Sequence, residues 1–463
     1  MSRRGEQGPR RGRDAGLYIG AAIGGLAAAF LGPTYFSPEI DFLHQKTAPV
    51  VDAIKQSVAQ FFDAQKSDTQ NAKRKVPPAS VTVVPSVPVE TPSVSGSSAV
   101  PYRPTPEQSP EAAKGCLKNK WSVAEKYGLG LIVPVNADGS YYGDKGKTDP
   151  EKTRELLQKY KIGGAIVMNS VASRPKNSQN LLALSAAGVE LSTDQEGGKV
   201  QRFNDAGPMP SQKDVVAKGM TAEEVKRTVG AQYRMLKEKY GITRVLGPVL
   251  DLPPASGKPS KIGDSRIFSG DVAKVTAYGS WYIGTAQELG MLATLKHFGG
   301  GSMSENTDAQ PAIVPSRAEL RKRDWLPYAA PAIKKSGSTI MVTSATPVGD
   351  TLPAVLNPEV YKELRTSFGT PDTTTMSDDL GTRALAGKGG LPKVIVDATA
   401  AGLDYKEFVQ GHSPGVSLET LLTKIIQAGE DAVQSGGLPR ETLDASAERI
   451  LKNRNQLATA CIR

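Results

Sequence analysis

The sequence predicts an α/β fold: a (β/α)8 barrel of the TIM type, preceded by a transmembrane helix and a proline-rich tether. Three observations carry this reading. Short apolar, β-branched runs alternate with helical patterns along residues 114–463, and such alternation implies a parallel sheet joined by helical crossovers. Eight of these units occur, in a length that suits one barrel. An uncharged stretch near the N-terminus then runs, through a short helical segment, into one crowded with Pro, Ser, Val and Thr. A doubly wound open sheet is the alternative, but no GxGxxG follows the first strand.

Taken in order, residues 1–16 carry Arg3, Arg4, Arg10, Arg11 and Arg13, and residues 17–36 (LYIGAAIGGLAAAFLGPTYF) carry no charge. About 20 apolar residues span a bilayer, and a basic flank places its own side in the cytoplasm. The expectation is a single-pass cell-membrane protein whose large domain is extracytoplasmic. A cleavable signal peptide is the rival, though no clear small-x-small cleavage site precedes a mature start. Gly20 and Gly24 have the spacing of a helix-dimer motif, a weak signal in so Gly-rich a segment.

Residues 37–65 have helical periodicity, with Val50, Val51, Ile54, Val58, Phe61 and Phe62 near one face and His44 read as solvated. Residues 66–113 hold too many prolines for a helix or a ladder and read as an extended spacer. Cys116 and Cys461 bracket the folded part and could close one disulfide after export, or remain two unrelated thiols. The chain is 463 residues long, with 39% hydrophobic and 22% charged residues and a net charge of +10. That charge is spread out. No basic, aromatic-interleaved stripe points to nucleic acid, and a polyanionic cell surface would attract it equally well.

The strand candidates in residues 114–463 are LIVPV (131–135), GAIVM (164–168), VELST (189–193), RVLGPVLDL (244–252), LATLKHF (292–298), TIMVTSA (339–345), TTTMS (373–377) and a weaker one within 401–409. Helical patterns between them include residues 221–241 and 316–337. In a barrel the working residues sit at the C-terminal strand ends. There the third strand offers Asp194 and, further along its loop, Arg202; the fourth offers Asp251; the fifth Lys296 and His297; the seventh Asp378 and Asp379. Carboxylates and cations converging on one pocket suit a polyhydroxylated substrate, and one carboxylate could attack an anomeric carbon.

The segments TDQEGGKVQRF, GPVLDL, KIGDSRIF, LKHFGGG and MSDDLGTRAL resemble, in this order and spacing, glycoside hydrolase family 3. The likeness covers about residues 120–455 and is strongest to the single-domain bacterial β-N-acetylglucosaminidases. It implies a (β/α)8 barrel, retention through a glycosyl-enzyme intermediate, and no metal or other cofactor. It also implies Asp378 as nucleophile, Asp194, Arg202, Lys296 and His297 as sugar-binding residues, and Arg266 as the arginine of a motif that is one residue longer here. The partner implied is an amino-sugar glycan, for example a peptidoglycan fragment.

The sequence departs from that pattern in one place. Where such enzymes carry an Asp-x-His pair whose histidine is the general acid/base, this chain has Asp308 and then Gln310. An amide cannot exchange a proton near neutral pH. The usual histidine after the sixth strand is likewise replaced, within Thr343, Ser344 and Ala345. Glu305 in the same loop and His412 after the eighth strand are replacement candidates, though each reads more readily as a solvated loop residue. Asp251 could serve the site or merely cap a turn. Asp194 and Arg202 could form a structural ion pair. Two expectations therefore stand: a membrane-anchored glycosidase, or an impaired relative kept as a glycan-binding or scaffolding module among envelope proteins.

Overall fold

The computed structural model describes residues 117, 120–145, 147–168, 175–300, 303–409 and 416–455. The expected membrane span, juxtamembrane helix and tether, both cysteines, and His412 lie outside the described residues. Among the described residues no helix is long and apolar enough to cross a membrane.

Eight parallel strands form the centre: β1 (Leu131–Val135), β2 (Gly164–Val167), β3 (Glu190–Thr193), β4 (Ile242–Val249), β5 (Leu292–Phe298), β6 (Thr339–Val342), β7 (Thr375–Ser377) and β8 (Lys406–Glu407). They pair in the order β7-β6-β5-β4-β3-β2-β1-β8. A parallel bridge between Met376 and Tyr405 brings the two ends of this sheet together, with Ser377 N donating to Tyr405 O at 2.9 Å. The sheet is thus a nearly closed barrel. Strands β1 and β2 are buried at every position, as expected where helices cover the outside and side chains fill the inside.

Helices α1 (Val123–Leu129), α2 (Pro150–Lys159), α3 (Pro175–Ala186), α4 (Ala222–Tyr240), α5 (Val272–Glu288), α6 (Leu391–Ala401), α7 (Leu418–Gln434) and α8 (Arg440–Asn453) surround the strands together with shorter turns. Helix α4 follows from its sequence at both ends. Thr221 and Glu224 form a reciprocal capping box, and Gly241 takes the left-handed conformation, φ 70°, that ends the helix.

Two expectations need correction. The long helix over 316–337 is instead three short ones, Arg317–Lys322, Leu326–Ala329 and Pro331–Lys334. Pro327 and Pro331 lack the N–H a continuous helix needs, so each instead sits in the first turn of a new one. The eighth strand is only two residues long, Lys406–Glu407, with Tyr405 before it making a single bridge to Met376.

The N-terminal end of the barrel is plugged by charge. Arg244 on β4 is fully buried. It donates to Glu190 at 2.5 Å, Thr339 at 2.6 Å, Asn453 at 2.8 Å, and Thr294 and Tyr405 at 3.1 Å. Arg454 meets the same Glu190 at 3.0 Å. The C-terminal end stays open.

Candidate active site

Strand β5 delivers Lys296 and His297, joined by a cis peptide bond. Lys296 is 2% exposed, and its Nζ reaches Asp194 and Glu196, each at 2.6 Å. Burial alone would depress the ammonium, but these two carboxylates outweigh it and hold Lys296 charged. His297 is fixed by Asp251 at the end of β4. Asp251 Oδ1 accepts from His297 N at 3.1 Å, and Oδ2 lies 2.6 Å from Nδ1. Asp251 therefore orients the ring rather than capping a turn, and Nε2 is left as the ring nitrogen for a ligand.

The chain then turns at Gly299, where φ is 137° and an added Cβ would lie 2.1 Å from Thr343 on the neighbouring segment. Phe298 stacks on Trp325 with centroids 4.4 Å apart, tying the start of this loop to the core.

The loop after β3 is a tight hairpin, Gln195–Gly197 against Val200–Gln201. The Gln195 amide oxygen accepts from the backbone of Arg202 and Phe203, and its amide nitrogen donates to Phe203 O. Arg202 is thereby presented to the cavity, 3.2 Å from Asp194, with its buried Nε lacking a protein partner. Glu196 points inward from the same hairpin and takes both arms of Arg266, at 2.8 and 2.9 Å. Burial would raise the carboxyls of Asp194 and Glu196. Lys296, with Arg202 beside the former and Arg266 beside the latter, overrides this, lowering both carboxyls and holding Asp194 well below the carboxylate range. The Asp194–Arg202 ion pair exists and lines the cavity as well.

Strand β7 ends in Asp378 and Asp379. Asp379 is occupied: its Oδ1 accepts from Gly381 N and Val409 N, both at 2.7 Å, and so braces the turn onto the segment after β8. Asp378 lines the cavity, its Oδ1 accepting from Asp379 N at 2.9 Å.

The cavity has a volume of about 290 Å3. That is near the lower end of ligand clefts, roughly 300–1,000 Å3, and suits one sugar ring rather than a long chain. Asp194, Arg202, Arg266, Lys296, His297 and Asp378 all line it, as the sequence led one to expect, and so does Asp308. Asp308 sits at the rim. Although its side chain is exposed to solvent, partial burial first, then the negative charge of Asp378, raises its carboxyl. Glu305 goes elsewhere: it is half-exposed, pairs with Lys261 at 3.2 Å, and is not among the lining residues. Gln310 is exposed.

Two residues of the site escaped the sequence reading. Glu196 was hidden inside a motif, and only the fold reveals it as the anion between Lys296 and Arg266. Glu407 on β8 is 4% exposed, lines the cavity, and has a buried Oε2 with no hydrogen-bond partner. Period-two alternation could have flagged it, since Lys406 faces outward and Glu407 inward.

A parallel barrel with carboxylates, a bidentate arginine and a lysine-histidine pair at its C-terminal rim defines a barrel protein built for a small polar ligand. The chain belongs to glycosyl hydrolase family 3, whose N-terminal domain model matches residues 129–453. A β-hexosaminidase of Stenotrophomonas maltophilia is 30% identical over 263 residues, covering 54% of this chain and 77% of the relative. A β-hexosaminidase of Pseudomonas aeruginosa is 28% identical over 256 residues, covering 54% and 76%. Among solved structures, LpqI of M. tuberculosis superposes with TM-score 0.62 at 25% identity, covering 74% of this chain and 96% of that one. The β-N-acetylglucosaminidase of Paenibacillus sp. FPU-7 superposes with TM-score 0.63 at 23% identity, covering 73% and 63%, a likeness of fold.

Proposed function

We propose that this chain is a retaining exo-glycosidase acting on β-linked N-acetylhexosamine, anchored by residues 17–36 on the outer side of the cell membrane. One observation carries the reading: Asp378 opens into the same one-sugar cavity as Lys296, His297, Arg202 and Asp308. Asp378 attacks the anomeric carbon and forms the glycosyl-enzyme. Arg202 Nε and the remaining Lys296 proton bind glycone hydroxyls. Asp308 replaces the missing histidine as acid and then base. A cavity for one sugar places the leaving group at its mouth, and Asp308 is the carboxyl at the mouth, raised by partial burial and by Asp378. Peptidoglycan fragments fit the expected location of the domain and the β-hexosaminidase activity in the relatives' names.

The full chain, offered an aryl N-acetyl-β-glucosaminide and a natural β-linked N-acetylglucosamine disaccharide, should hydrolyse both, and Asp378→Asn should abolish turnover. The second reading, an impaired glycan-binding module, draws on the exposed Gln310 at the histidine's place. Binding of the disaccharide without turnover of either substrate would establish it instead.

A further inference from the structure

Glu407 has no role in the steps above, yet it occupies the floor of the cavity. Around it, Ile166, Leu246 and Met341 from β2, β4 and β6 make the floor apolar. The charged groups facing it are Asp194 after β3, Lys296 on β5, and Asp378 and Asp379 after β7. Three of these four are carboxylates, and Lys296 is already held between Asp194 and Glu196. No side chain or backbone group satisfies Glu407 Oε2. A buried polar group without a partner destabilises the fold, and a leucine would fill this floor at less cost.

We propose that Glu407 is a glycone-binding residue, a neutral carboxylic acid on the floor of the cavity that donates a hydrogen bond to a hydroxyl of the sugar held beside Asp378. This rests on the glycosidase reading of the cavity. Burial, and then Asp194, Asp378 and Asp379, push the Glu407 carboxyl well above its usual range, which favours the protonated, hydrogen-bond-donating form. Position separates its task from that of Asp308: a group beneath the ring touches the glycone, whereas the leaving group lies at the mouth. As pH rises, ionised Glu407 loses its proton and adds a fourth carboxylate to the floor, so sugar binding weakens.

The test uses the full chain and compares wild type with Glu407→Gln, Glu407→Ala and Glu407→Leu. For aryl N-acetyl-β-glucosaminide, KM should rise about tenfold in Glu407→Ala, with kcat affected less. Glu407→Gln, which still donates, should recover most of that loss and lack the wild-type fall in kcat/KM at alkaline pH. Glu407→Leu should fold at least as stably as wild type and show the KM defect, which separates the role from folding. Wild-type KM in Glu407→Ala and Glu407→Leu, or a wild-type alkaline limb in Glu407→Gln, overturns the proposal. Should the wild type turn nothing over, calorimetry with N-acetylglucosamine decides. Binding that weakens at alkaline pH in wild type but not in Glu407→Gln keeps Glu407 and discards the hydrolase. Absence of binding to wild type discards both.

Discussion

Asp308 bears the largest consequence of a single residue change. With Gln310 where a histidine would serve, the proposed mechanism gives proton transfer to the leaving group to Asp308, a carboxyl raised by partial burial and by Asp378. Asp308→Asn should lower hydrolysis of the natural disaccharide by about 10²–10⁴. The aryl glycoside, whose phenolate leaves with little protonation, should suffer much less. Parallel steady-state assays on the two substrates check this, and equal losses on both would move the acid elsewhere. Glu305→Gln should change neither rate, because Glu305 faces Lys261 instead of the cavity.

At the scale of elements, strand β8 holds two opposed titrations. Its outward residue, Lys406, is fully buried 5.1 Å from the Tyr127 ring centroid, and Nζ has no hydrogen-bond partner. Burial, only partly offset by Asp404, brings it down from 10.5 to about 7. Between those values the unfolded chain keeps a proton that the folded chain has released. The Lys406 contribution to stability therefore rises with pH across that window, and its penalty is complete below about 7. Lys406→Met should stabilise the domain, on the order of a few kcal/mol in mild acid and less in alkali. Denaturant titrations at two pH values measure the difference, and a gain independent of pH would contradict it.

The same strand marks where sequence reading stops. Strands β1 and β5 match their apolar runs residue for residue because those runs are long and flanked by turns. Asp194, Lys296, His297 and Asp378 could be found because each ends such a run. Strand β8 is only two residues long, so its alternation is a faint signal, and the acidity of Glu407 depends on neighbours drawn from three other strand ends. Glu196 was obscure for the same reason. The prolines at 327 and 331 were legible, and reading the periodicity without them produced the overlong helix.

For the whole molecule, the barrel divides its work between its ends. The C-terminal rim gathers charges that a ligand can reach. The N-terminal end closes on Arg244, Glu190 and Arg454, with Asn453 tying in the last helix. Removing one member leaves buried partners stranded, so Arg244→Met should destabilise the domain by ~3–5 kcal/mol and lower Tm without altering KM in the folded fraction. Thermal melts paired with kinetics would reveal a mistaken division if KM changed as well.

The central claim is that Asp378 forms a covalent bond to the sugar. Incubation with a fluorinated N-acetylglucosaminyl donor that slows release of the intermediate, followed by peptide mass spectrometry, tests it most directly. The expected result is a single adduct on the peptide containing Asp378, lost in Asp378→Asn. Turnover of ordinary substrate with no adduct, with an adduct on another carboxylate, or with inversion at the anomeric carbon would contradict the account.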